Sequence, residues 1–202
     1  MTTDNFLSIK RNAEGLYREK GSKFLAYAFS VSDSDEVNAN LEILKKKHFD
    51  ASHHCYAYIL FEGKQFRSYD DGEPRHTAGD PILNQIRSAQ LYNILIVVVR
   101  YFGGTKLGKK GLINAYKSAA KDALLNAEII KKTIEKSILI DFRYEGMHDI
   151  IHVIQQNNYK IIHQQYDSEC SITCSVPVSK ISKFQKKLQA LRNVIKVELL
   201  PG

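Results

Sequence analysis

The segment VVVRYFGGTKLGKKGLINAY, residues 97–116, carries a G-x-x-x-x-G-K pattern from Gly103 to Lys109. An apolar run precedes it and a helix-like run follows, an arrangement close to the phosphate loop of nucleotide-binding enzymes. Such a loop needs Ser or Thr directly after its lysine, because that hydroxyl holds a magnesium ion. Here the position is Lys110, whose charge opposes a metal, and Thr105 lies inside the loop. A simpler chemistry is anion binding. Gly103, Gly104 and Gly108 leave backbone N–H groups approachable, while Arg100, Lys106, Lys109 and Lys110 supply charge around the start of a helix. The alternative is that the glycines only satisfy tight turns.

A second cluster, SYDDGEPRHTAGD, places the carboxylates Asp70, Asp71 and Glu73 within four positions, beside Arg75 and His76. Oxygen ligands at this density can hold a hard cation or supply an acid–base pair. They can equally shape a turn and position a neighbouring basic loop by salt bridges, the reading taken here, since Asp71-Gly72 is an ordinary turn pair. If Arg100 meets Asp71 or Glu73, the two loops form one mixed-charge surface. The third cluster is His53-His54-Cys55, where strand alternation puts His53 and Cys55 on one face and His54 on the other. No partner pair stands at zinc-finger spacing, so no metal site and no cofactor are expected. Cys55 as a nucleophile assisted by a histidine stays open.

The elements that must hold these clusters follow from periodicity. Lys20-Gly21-Ser22 reads as a tight turn between strand-like segments, and Ser32 or Asp33 can cap the helix that follows. HHCYAYILFEG alternates as a strand, with a turn beginning at Glu62-Gly63-Lys64; QFRSYDDGEPRHTAGD reads as loop. Asp80-Pro81 predicts the start of the next helix, and NILIVVVRYF a strand covered on both faces. GLINAYKSAAKDALLNA predicts a helix. Beyond it, TIEKSILIDFRY (strand), EGMHDIIHVIQQNN (helix), YKIIHQQYD (strand), a turn at Asp167-Ser168-Glu169, ECSITCSVPV (strand), KISKFQKKLQALRN (helix) and VIKVELL (strand) give a βαββαβ order. We therefore expect an α+β chain of two domains, residues 1–130 and 131–202.

The 202 residues carry a net charge of +7, with 18 basic against 15 acidic residues before position 131 and 11 against 7 after it. The positive balance is shared between the halves and favours polyanionic partners. No apolar run reaches the roughly 20 residues that cross a bilayer, and the first residues lack the basic-then-apolar order of a secretion signal. Cys170 and Cys174 would lie about 13 Å apart along a strand, too far for a disulfide, so reduced thiols and a cytoplasmic location are expected.

The segments KGSKFLAYA (20–28), ASHHCYAY (51–58), DDGEP (70–74), TAGDPIL (77–83), VVVRYFGGTKLG (97–108) and GLINAY (111–116) together resemble the IMPACT/YigZ family. The resemblance implies a ribosomal protein S5 domain-2-like first domain and a ferredoxin-like second domain similar to a late domain of elongation factor G. It also implies a link to translation: eukaryotic members restrain activation of an initiation-factor kinase, and bacterial ones are suspected of binding RNA or ribosomes. Two departures stand out. Arg75-His76 replaces a Ser-Gly that usually follows DDGEP, and Lys110-Gly111 and Asn114 replace a Gly-Gly and an Arg. The expectation is a translation-linked factor that is not an enzyme and binds RNA, the ribosome or a protein regulator of translation. The candidate surface combines Asp70, Asp71, Glu73, Arg100, Lys106, Lys109, Lys110 and the three loop glycines, with Tyr101 and Phe102 as stacking candidates. The alternative is an enzyme acting on a phosphorylated small molecule or nucleotide, with Asp71 or Glu73 as base or metal ligand.

Overall fold

In the computed structural model, which describes residues 4–60, 65–166 and 170–200, the chain is an α+β protein of two compact units. One unit is Leu7–Lys131; in the other, residues 132–200 are joined by residues 4–6. The turns expected at Glu62-Gly63-Lys64 and Asp167-Ser168-Glu169 lie outside the described residues.

Strand β1 (Asn5–Ile9) runs across the division at Leu7 into the first unit, which continues with β2 (Ala13–Glu19) and β3 (Ser22–Ser30). Lys20 and Gly21, between β2 and β3, both take positive φ (45° and 81°), as a tight hairpin turn with matching twist requires. Helix α1 (Ser34–Lys47) is capped by Asp33, whose carboxylate accepts from the backbone of Asp35 and Glu36. Acidic residues in its first turn and lysines in its last complement the helix dipole.

Next come β4 (His53–Ile59), β5 (Phe66–Tyr69), α2 (Gly79–Ser88), β6 (Ile94–Tyr101) and α3 (Gly108–Leu125). The presence of β5 corrects the sequence reading, which gave its residues to a loop; pairing with β4 draws them into the sheet. The sheet order is β2-β3-β6-β4-β5, with every neighbouring pair antiparallel. Central β6 is buried over seven of its eight residues, because alternate side chains face different layers. Ile94, Ile96 and Val98 pack with α2 and α3; Leu95, Val97 and Val99 pack with α1.

After α3 the chain forms β7 (Ile129–Thr133), a strand the sequence pattern did not give, and then β8 (Glu135–Phe142), which falls within the strand it began at Thr133. The two separate at Ile134, whose N–H turns to the carbonyl of Asp4, and β7 pairs with β1 in a sheet of its own. The second unit continues with α4 (Met147–Gln156), β9 (Lys160–Tyr166), β10 (Cys170–Pro177), α5 (Ile181–Gln189) and β11 (Val194–Leu199). Its sheet order β11-β8-β10-β9, all antiparallel, is the βαββαβ arrangement, with Ile138, Ile140, Phe142, Ile172 and Cys174 buried among Ile150, Ile154, Phe184 and Leu188. No helix among the described residues is long and apolar enough to cross a membrane.

Candidate anion-binding cleft

The acidic loop between β5 and α2 is built by its own carboxylates. Asp71 and Gly72 both sit at positive φ (44° and 84°), and His76 does so again at 66°, so the loop folds back on itself. Asp70 then reaches forward: one oxygen accepts from the N–H groups of Ala78 and Gly79 (3.0 and 2.8 Å), the other from that of His76 (2.9 Å). These are donors at the head of α2, so Asp70 caps that helix from eight residues upstream. The sequence reading placed the start of this helix at Asp80-Pro81. Asp80 instead lies inside the first turn, accepting from the Ser68 hydroxyl at 2.6 Å and meeting His76 Nδ1 at 2.6 Å. These two partners hold its carboxyl below the usual range, the serine hydrogen bond contributing most. Asp71 accepts from the backbone N–H of His54 at 2.6 Å, and its carbonyl oxygen lies 2.7 Å from His53 Nδ1. Asp70 and Asp71 are thus committed to loop architecture.

Glu73 does the work between loops. It is 9% exposed and Arg100, at the end of β6, is 5% exposed. Guanidinium and carboxylate meet at 2.5 Å, so of the two pairings the sequence left open, the structure forms the one with Glu73. The Tyr116 hydroxyl, from α3, donates to the same Glu73 oxygen at 2.7 Å, and His53 Nε2 stands 3.9 Å from it. Burial, Cys55 and Glu73 push the Tyr116 phenol upward, so it stays protonated as a donor. Cys55 lies beneath, its thiol 3.0 Å from the Asp70 carbonyl and 3.3 Å from the Tyr116 hydroxyl. Burial pushes that thiol far above its ordinary range, which removes it as a nucleophile near neutral pH. Among the described residues no group of three His, Cys, Asp or Glu side chains is placed to share a metal ion.

Above this buried network opens a cleft of about 460 Å³. Arg100, Glu73 and His53 contribute to its floor; Phe102, Lys106, Lys109 and Gly108 contribute from the Gly-Lys loop and the first turn of α3. With Arg100 and Glu73 cancelling, Lys106 and Lys109 leave the lining net positive. The helix adds to this, because its first turn carries no acidic residue and no side chain caps its N–H groups. The Nε of Arg100 is sealed from solvent without a hydrogen-bond partner, so the donors facing the opening are the lysines and the head of α3. The arrangement offers charge and N–H donors to an anion.

Several sequence-selected residues fall outside this lining. Asp70, Asp71 and Lys110 do not contribute to it, and neither do Gly103 and Gly104. Gly103 has a packing role instead: a Cβ there would lie 1.9 Å from the carbonyl carbon of Gly21, so the loop rests on the β2–β3 turn, pinned by its N–H to Ser22 Oγ. Gly104 and Gly108 supply positive φ (85° and 69°) with open space around them. Of the two aromatic candidates, Tyr101 is half-buried and bonded through its hydroxyl to His48 and Asp50, whereas Phe102 is 50% exposed. Tyr116 was missed, because a tyrosine at a helical core position gives no sign of a functional partner.

These features define a class: a two-unit α+β protein whose first unit carries a basic cleft braced by a buried arginine–glutamate pair. The chain belongs to the IMPACT family, since the family model described as the Impact N-terminal domain matches residues 20–124. It is 31% identical to the IMPACT family member YigZ of Escherichia coli over 84% of each chain. It is 26% identical to YvyE of Bacillus subtilis over 94% of this chain and 88% of the other. A solved structure described as that of a hypothetical protein aligns with 100% of this chain and 98% of its own, at 28% identity and a TM-score of 0.74.

Proposed function

We propose that the chain is a non-enzymatic, translation-linked factor that binds RNA, free or within the ribosome, by receiving a backbone phosphate in the cleft. The link to translation rests on family membership. The binding chemistry rests on one observation: Glu73 fixes Arg100 at the cleft floor while Lys106, Lys109 and the uncapped head of α3 surround the opening. Those groups position a phosphate without reading a base. The rival reading, an enzyme with Asp71 or Glu73 as base, has weaker support because both carboxylates already hold structural partners.

Titration of a labelled single-stranded RNA at several salt concentrations tests the reading. Lys106→Ala with Lys109→Ala should weaken binding and lower the salt slope by about 0.7, the contribution of one single-strand phosphate. Unchanged affinity and slope would remove the cleft from the interface. Capture of partners from nuclease-treated extract separates RNA from a protein regulator, since a protein contact survives the nuclease.

A further inference from the structure

A second groove, of about 390 Å³, lies beside the cleft in the same unit, and Phe102 lines both. Its walls come from β2 and β3: Leu16 and Arg18 from one strand, Lys23 and Leu25 from the other. Strand alternation puts these four on one face, and the register sets Arg18 directly opposite Lys23 and Leu16 opposite Leu25. Like charges facing each other across a strand pair are destabilising. Both are exposed, and neither forms a salt bridge to a carboxylate among the described residues. An anion from outside the chain would convert that repulsion into attraction.

The ring between the two basic sites is firmly placed. The Phe102 N–H meets Ser52 Oγ at 3.3 Å, and the Gly103 N–H that follows meets Ser22 Oγ at 3.1 Å. The Arg100 guanidinium lies 5.5 Å from the ring centroid, within cation–π range. Half the residue nevertheless remains open to solvent. A fixed, exposed aromatic between two phosphate-sized basic sites is the pattern of a stacking platform for unpaired bases.

We infer that a single strand of RNA crosses Phe102 from the cleft into the second groove, with one base on the ring and the adjoining phosphate between Arg18 and Lys23. This rests on the RNA reading above and adds the direction and footprint of the strand. Leu16, Leu25 and Tyr101 give the sugar and base an apolar wall, so the second groove tolerates any sequence.

Fluorescence anisotropy with a labelled oligouridylate of roughly 12 nucleotides measures the consequence on the full chain. Phe102→Ala should weaken binding roughly 5- to 150-fold with the salt slope retained, the effect of losing one stacked base. Phe102→Trp should restore it. Arg18→Ala with Lys23→Ala should lower the slope by about 0.7. All these side chains are exposed, so thermal melts should stay close to that of the unaltered protein and exclude misfolding as the cause. They should be slightly higher where the Arg18–Lys23 repulsion is removed and slightly lower where the Phe102 ring is lost from Arg100. If these variants bind as tightly as the unaltered chain while Lys106→Ala with Lys109→Ala binds weakly, the strand path is wrong and the cleft reading stands. If the unaltered chain shows no affinity for the probe, the RNA reading itself falls.

Discussion

Replacing Glu73 by Ala tests whether the cleft is held open by electrostatics or merely by packing. The substitution leaves Arg100 charged, 5% exposed and without its carboxylate, and removes the acceptor for the Tyr116 hydroxyl. Breaking a buried ion pair from one side costs about 3–5 kcal/mol. The lower end applies here, because Arg100 borders the cleft and water can reach it there. For a unit of this size about 3 kcal/mol corresponds to a fall of roughly 10–15 °C in melting midpoint. The chain has no tryptophan, so far-ultraviolet circular dichroism is the suitable monitor of thermal and urea unfolding. Glu73→Gln keeps an acceptor but not the charge and should lose less, about 2 kcal/mol. Joint replacement by Glu73→Leu and Arg100→Met should recover only part of the loss: an apolar pair of similar volume escapes the desolvation cost, but the buried Tyr116 hydroxyl stays without its carboxylate acceptor. The freed guanidinium of the Glu73→Ala protein supplies a further check. Added inorganic phosphate should raise its stability more than it raises that of the unaltered protein. A Glu73→Ala protein within about 1 kcal/mol of the original, or one indifferent to phosphate, would refute the account of the cleft given above.

Gly103→Ala should destabilise the first unit by about 1–3 kcal/mol in urea titrations, because the new methyl group meets the backbone of Gly21 rather than a movable side chain. Acid should also weaken the fold. Burial holds the imidazoles of His48 and His54 below their ordinary pKa, so the native state favours their neutral forms. Their contribution is complete above about pH 6.5 and is lost as pH falls through the depressed native values. Urea midpoints at neutral and mildly acidic pH should show this decline, and His48→Gln should make it shallower; identical slopes in the two proteins would disprove the assignment to His48.

The sequence made the larger elements legible because their signals are local. Asp33 caps α1 beside acidic residues, and the unbroken apolar run of β6 marks a strand buried on both faces. The order of the second unit follows from alternation giving way to helical spacing and back. Local signals failed wherever a remote group decides the outcome. Asp80-Pro81 has the look of a helix start, yet Asp70 supplies the cap, because three positive-φ residues return the loop to α2. Gly103 is indistinguishable in sequence from a glycine that cradles an anion, and only the approach of Gly21 reveals its packing role. The Arg100–Glu73 pair was readable as one of two pairings because a lone cation at a strand end and an acidic loop imply complementarity. Tyr116, which completes the pair, was not.

The resemblance of Gly103–Lys109 to a phosphate loop also has a structural resolution. The run from β6 through the loop into α3 does follow the order strand, loop, helix, but β6 is antiparallel to both of its neighbours. Nucleotide hydrolases of the phosphate-loop type present successive loop N–H groups to a terminal phosphate and place a hydroxyl after the lysine. Here Gly103 is taken up by packing against Gly21, Lys110 stands where the hydroxyl would be, and the cleft is lined by side chains from three separate segments. In the function proposed above, a site made chiefly of exposed lysines around one fixed arginine would hold a phosphate as a charge, with little demand on what is attached to it. Such a site suits the repeated phosphates of a polymer, where many weak contacts along the strand add up and salt abolishes them together. On the proposed strand path, the basic pair on the neighbouring strands and the open ring between them would each add a contact of the same kind.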